Sequence, residues 1–163
     1  MYDDKGDYAK ALEHYNKCLE IRIKIFGPES IDVATTFNNI GLVYDNKGDY
    51  VKALEQYNKC LEIKAKTKGP DSIDVATTLN NIGLMYIKKG DYTKALEHFN
   101  KCLEIKTKIV GLDSIDAATS LNNIGLVYDS KGDYVKALEH YNKCLEIRTK
   151  IKGADSIDVA KTL

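Results

Sequence analysis

From Ser30 to Lys47 the apolar residues Val33, Phe37, Ile40 and Tyr44 recur at steps of 4, 3 and 4, the spacing of one face of an α-helix. Ser30 is a suitable N-cap. Asp32 sets a carboxylate in the first turn, where the helix dipole favours it, and Gly48 offers the left-handed residue that ends the helix. A second stripe follows between Asp49 and Lys68, where Tyr50, Ala53, Leu54, Tyr57, Cys60 and Leu61 share a side and Lys and Glu occupy much of the rest. Asp49 caps this helix, Gly69 closes it, Pro70 prevents its continuation and Ser72 caps the next. We name the two elements helix A and helix B. Their links are so short that the helices must zigzag antiparallel, and no period-two alternation marks a strand.

The pattern then returns. Gly-Asp-Tyr begins at Gly6, Gly48, Gly90 and Gly132, and the four cysteines stand at Cys18, Cys60, Cys102 and Cys144, each step being 42 residues. Every one of the 11 glycines falls into a series on that period. Such a period means units that bury their apolar faces on one another, and the absence of strands makes the array a solenoid rather than a propeller. The whole chain, 1–163, reads as a single all-α array of antiparallel helix pairs. It consists of a leading helix B over 7–26, pairs over 30–69, 72–111 and 114–153, and a trailing half helix A over 156–163.

Two local features carry packing expectations. Gly41 in mid-helix A costs ~1 kcal/mol relative to alanine unless packing requires it, and with Ala34 and Ala53 it implies close approach of A and B. Glu55 with Lys59, and Glu62 with Lys66, have the i,i+4 spacing of solvated ion pairs.

Composition narrows the function. With 24 basic and 24 acidic residues the chain has no net field to draw nucleic acid or an anionic membrane. No apolar run approaches a membrane span and no secretory start is present, so a cytoplasmic location is expected. The cysteines occupy one position in successive units, beyond the ~7 Å Cα reach of a disulfide, and lack a CxxC partner; they read as small buried residues, with no metal and no cofactor. His14, His98 and His140 share their position with Gln56, which an imidazole acting in catalysis or metal binding would not tolerate. With no phosphate-cradling loop and no nucleophile beside a base, the chain reads as a non-enzyme.

Asn-Asn-Ile-Gly-Leu-Val-Tyr, then Gly-Asp-Tyr, Ala-Leu, Tyr and Cys-Leu-Glu-Ile, resembles the tetratricopeptide repeat, with Phe37, Leu79, Leu121 and Leu163 at the family's large position. The common form has about 34 residues. The longer unit here, with its stretch GPDSIDVATTLNNIGLMY, is similar to the repeats of kinesin light chains and of arrays attached to nucleotide-binding signalling proteins. The resemblance implies a right-handed superhelix. The family's proline near the end of helix B is missing, Ala65 and Thr107 standing at or near its place, so helix B should run on for about two turns.

The resemblance also implies that A helices line a concave, ligand-binding face. Opposite the inward residues, helix A carries Thr35, Asn38, Leu42 and Asp45, flanked by Asn39 and Asn46. The equivalents are Thr77, Asn80, Asn81, Leu84 and Ile87, then Thr119, Asn122, Asn123, Leu126 and Asp129. Asparagine offers both a donor and an acceptor, matching the peptide unit of an extended partner. In the competing reading, one asparagine of each pair only ties neighbouring helices together. Asp45, Ile87 and Asp129, with Asn46, Lys88 and Ser130, are where the units differ, through selectivity or drift. The stripe positions Thr35, Asn38, Asn39 and Leu42 supply no basic residue, so the family's clamp for peptide C-termini is not expected. A protein-interaction scaffold for extended or short helical peptide segments is the leading expectation. The alternative is a structural spacer, or an array that stacks head to tail into a homo-oligomer through ends that lack a polar cap.

Overall fold

The computed structural model describes residues 7–152, and within them the chain forms helices only. These are α1 (Tyr8–Phe26), α2 (Ile31–Asn46), α3 (Tyr50–Lys68), α4 (Ile73–Lys88), α5 (Tyr92–Val110), α6 (Ile115–Ser130) and α7 (Tyr134–Lys152). Even-numbered elements are A helices of 16 residues and odd-numbered ones B helices of 19, in accord with the reading of the missing proline. Each element packs on its neighbour in sequence, giving an α-solenoid. The expected half helix over 156–163 lies outside the described residues.

The punctuation has a definite geometry. Ser30, Ser72 and Ser114 accept from the backbone N–H three residues on, as Asp49 and Asp91 do for Lys52 and Lys94. At the A-to-B turn Gly48, with φ +80°, donates to Asp45 O while Asp49 donates to Tyr44 O at 2.8 and 2.9 Å. That is a Schellman closure, and it reverses the chain in three residues.

The B helices α3 and α5 are each wedged between their own helix A and the next one. Cys60 and Ile63 of α3 pack on Val33 and Ala34 of α2, while Leu61 and Ala65 pack on the cluster of Val75, Ala76 and Leu79 in α4. Cys60, Cys102 and Cys144 are buried, as expected of a small core residue, and Cys18 is half-buried.

Three packing details differ from or add to the sequence expectation. The surface nearest Gly41 is the ring of Tyr57: a Cβ at Gly41 would lie 2.8 Å from its Cε1. Phe99 covers Gly83 and Tyr141 covers Gly125 in the same way, at 2.7 Å, and at Gly125 the Ala137 carbonyl also stands 3.3 Å away, the close approach of A and B expected from the sequence. The glycine makes room for an aromatic face, and the fully buried alanine sits beside it.

Lysine also enters the core. Lys64 and Lys106 are at most 9% exposed, and Lys64 Nζ donates to Thr78 Oγ1 at 3.2 Å and to Asp74 O at 3.5 Å. Arg22 makes the equivalent contacts with Thr36 Oγ1 and Asp32 O at 2.8 and 3.0 Å. A cation thus ties α1, α3 and α5 each to the start of the following helix A.

Of the i,i+4 pairs, Glu62 and Lys66 meet at 3.0 Å, but Lys59 lies over the Phe37 ring instead of on Glu55. Lys66 also reaches Glu29 of the preceding turn at 2.8 Å, and Lys108 reaches Asp71 at 2.7 Å. These bridges span successive B helices and their connecting turns, where the acid is held in place by the fold.

Candidate functional site

The residues expected to bind differ in exposure along helix A, and Leu84 and Ile87 also pack on core clusters that include residues of α3 and α5. Thr35, Thr77, Leu42 and Leu126 are exposed, and Thr119, Leu84, Asp45, Ile87 and both asparagines of each pair are half-buried, while Asp129 is exposed. Thr35, Thr77 and Thr119 turn their hydroxyls back onto the carbonyls four residues earlier, at 2.9 Å, which leaves their methyl groups as the outward surface.

The asparagines join successive repeats. Asn81 Nδ2 donates to Asn38 Oδ1 at 3.3 Å, and Asn123 Nδ2 to Asn80 Oδ1 at 2.7 Å. One member of each pair therefore accepts and the other donates, so tying falls to both rather than to one of them. The remaining atoms are still open: Asp7 Oδ1, which faces Lys10 Nζ at 3.3 Å, is the one buried side-chain N or O without a hydrogen bond among the described residues, so the spare Asn38 Nδ2, Asn81 Oδ1, Asn80 Nδ2 and Asn123 Oδ1 reach solvent.

The stripe changes character along the array. Asp45 and Lys88 form an ion pair between α2 and α4, and Lys88 also lies 5.6 Å from the Tyr50 ring centre. The next equivalent places are Ile87, packed against the cluster of Ala95, Phe99, Ile124 and Val127, and Ser130, whose hydroxyl bonds to Leu126 O. The changes from Asn46 to Lys88 and from Asp45 to Ile87 are thus coupled to contacts between repeats.

Beneath this stripe the buried ring tracks the outer residue. Burial, and then the field of Asp45, push the Tyr57 phenol well above its ordinary range. Tyr141 shifts the same way beside Asp129. Where Ile87 replaces the acid, Phe99 replaces the tyrosine.

The histidines serve local structure: His98 and His140 donate from Nδ1 to the carbonyls of Lys94 and Lys136 at 2.8 Å and pack on Tyr86 and Tyr128. A cavity of about 480 Å³ between α5, α6 and α7 is floored by Leu103, Leu121 and Ile147 and includes none of the stripe residues. Among the described residues no group of three or more His, Cys, Asp or Glu is placed to hold a metal ion, and no helix is long and apolar enough to cross a membrane.

The buried cation and its hydroxyl partner were missed in the sequence. Their signal is present: Arg22, Lys64, Lys106 and Arg148 recur at one position, and Thr36, Thr78 and Ser120 at another, on faces otherwise apolar.

Solved structures share this architecture. BtubC (BKLC) from P. vanneervenii is 27% identical with a TM-score of 0.84, over 97% of this chain and 63% of that one, so this chain spans less than two thirds of its length. A Podosopora anserina putative kinesin light chain with nearly identical TPR-like repeats is 17% identical with a TM-score of 0.80, over 96% and 74%. The apo form of RapI is 26% identical with a TM-score of 0.80, over 96% and 41%. No curated protein matches. The tetratricopeptide repeat model matches residues 1–66 and 74–163, nearly the whole chain. With helix pairs, caps and core all in keeping with that match, the chain belongs to the tetratricopeptide repeat family.

Proposed function

We propose that the chain is a protein-interaction scaffold whose A helices line a groove for an extended segment of a partner protein. The observation that carries this reading is the open donor and acceptor on each asparagine rung. Such a rung matches the N–H and C=O of one peptide unit without regard to its side chain. The row of Leu42, Leu84 and Leu126 beside the rungs supplies apolar area for side chains. Short helical segments fit less well, because a helix has already satisfied its own backbone groups.

A random peptide library selected against the protein, and against a variant with Asn80→Ala and Asn81→Ala, tests the reading. Circular dichroism verifies that the variant folds. Peptides that bind the parent and lose at least tenfold in affinity on the variant support the groove. Peptides indifferent to the change, or none selected, favour a spacer.

A second reading rests on α1. Ile21 is 56% exposed, whereas its equivalents Ile63, Ile105 and Ile147 are buried under their own A helices. A second copy stacked end to end would cover such a face. Stacking predicts a solution mass that rises with concentration, and a constant monomer mass rejects it.

A further inference from the structure

We infer that the cavity between α5, α6 and α7 is a docking site for an aromatic side chain of a partner protein, held with its ring beneath the Lys143 ammonium. The site shares no residue with the asparagine stripe, so it stands apart from the groove reading.

The chain presents the same place three times, because Phe37, Leu79 and Leu121 stand 42 residues apart, as do Lys59, Lys101 and Lys143. In the first unit the place is filled from within. The Phe37 ring packs with Leu19 on the cluster of Val33, Ala34, Cys60 and Ile63, and the Lys59 ammonium lies 5.4 Å from the ring centre. Lys66 joins α3 to Glu29 in the turn before α2 at 2.8 Å. In the second unit leucine replaces the ring, and lysines hold acids across the rim. Lys101 stands 3.8 Å from Asp71 and 3.2 Å from Glu104, while Lys108 stands 2.7 Å from Asp71.

The third unit has neither ring nor clasp. Leu121 packs with Leu103 on Cys144 and Ile147, and a cavity of about 480 Å³ opens beside them. Lys150 turns to Glu146 of its own helix at 3.0 Å, and among the described residues no ion pair joins α7 to the turn before α6. Lys143 lines the cavity and makes no hydrogen bond or ion pair among the described residues. Pro28 and Pro70 are replaced by Leu112, which is 52% exposed and forms an apolar wall at the mouth. Each group that closes the earlier versions has its counterpart here, Asp113 for Glu29 and Asp71 and Lys143 for Lys59 and Lys101, so the open form belongs to the site itself.

The first unit also shows what the place accepts. A ring set on leucine and isoleucine side chains turns its electron-rich face to the ammonium above it, an attraction worth ~0.5–1 kcal/mol at an exposed site. An aliphatic group gains the apolar contact alone. The source of the ring follows from the surroundings: an apolar floor inside a rim of charged residues of both signs is the anatomy of a protein interface, and aromatic side chains are its usual anchors.

The experiment uses the full chain, with carbon-13 in its leucine and isoleucine methyl groups, and blocked Gly-X-Gly peptides in which X is phenylalanine, cyclohexylalanine or alanine. Affinity is read from the methyl shifts of Leu103, Leu112, Leu121 and Ile147. The phenylalanine peptide should move these signals and the alanine peptide should not. Lys143→Gln, an exposed change, should weaken the phenylalanine peptide about two- to fivefold and leave the cyclohexylalanine peptide as it was. Leu121→Phe sets in the cavity the ring that the first unit already holds, and should abolish binding of both peptides without lowering the urea midpoint. Signals that stay still with every peptide, or that still move in a folded Leu121→Phe, overturn the inference. A phenylalanine peptide that ignores Lys143→Gln, or that loses no more than the cyclohexylalanine peptide, overturns the aromatic assignment, and this arm decides even where Leu121→Phe unfolds the chain.

Discussion

Asn123 Nδ2 donates to Asn80 Oδ1 across 2.7 Å, although the two residues stand 43 positions apart in a chain whose repeat is 42. The same offset of 43 joins Asn81 to Asn38 and Lys88 to Asp45. Side chains that meet across the array are therefore equivalent positions shifted by one. A two-residue Asn-Asn motif repeated at 42 makes a continuous ladder for that reason.

The roles within a rung are unequal, which gives a first prediction. Asn123→Asp removes the donor and sets two acceptors face to face, so it should cost about 1 kcal/mol or more in urea unfolding. Asn80→Asp keeps the acceptor and should cost clearly less. Equal losses at the two sites would show that the rung is not bonded in this sense.

Gly83 tests the packing beneath the ladder. Alanine there gains up to ~1 kcal/mol of helix propensity, but its Cβ would stand 2.7 Å from the Phe99 ring, and forcing the two apart should cost ~1–3 kcal/mol. A lowered urea midpoint for Gly83→Ala is expected. An unchanged or raised midpoint contradicts the close ring contact.

The buried cation gives a third prediction. Lys64→Arg should stay within about 0.5 kcal/mol of the parent, since Arg22 makes the same contacts to Thr36 and Asp32 in the unit before it. Lys64→Glu buries an uncompensated carboxylate and should cost ~3 kcal/mol or more. Similar midpoints for the two variants would mean that position 64 is open to water.

The bridges between B helices predict a pH dependence. Hydrogen bonding to Lys108, and then its charge, hold the Asp71 carboxyl below its ordinary range, while Asp71 raises Lys108. Its folded value being depressed, Asp71 adds stability above the ordinary carboxylate range and loses it as pH falls through the lowered value. Lys108 adds stability below the ordinary amine range and loses it as pH rises through the raised value, so the bridge acts across neutral pH. Both groups are exposed, so the effect is small and screened by salt. At low salt Asp71→Asn should be slightly less stable than the parent at neutral pH, with the gap closing in acid. A gap that persists in acid rules out this origin.

The helices and their caps were legible because serine, aspartate and glycine act locally, within a few residues of where they stand. Contacts between units were not. Aligning the chain at 42 sets Asp45 beside Ile87 and conceals its partner Lys88. Lys64 reads as a surface residue by type, although its aliphatic stem can lie in the core while its ammonium finds Thr78 and Asp74 O. Gly41 was recognised as a point of close approach, but the large ring that lies nearest it depended on how far Tyr57 extends across the pair.

The direct test of the ladder as a recognition surface is to follow its side-chain amides by nitrogen-15 NMR while a selected peptide is added. The signals of Asn80, Asn81, Asn122 and Asn123 should shift with the peptide, and those of Asn100 and Asn142 on the exposed faces of α5 and α7 should stay where they are. Shifts confined to Asn100 and Asn142, with the ladder unmoved, would contradict recognition by the A helices.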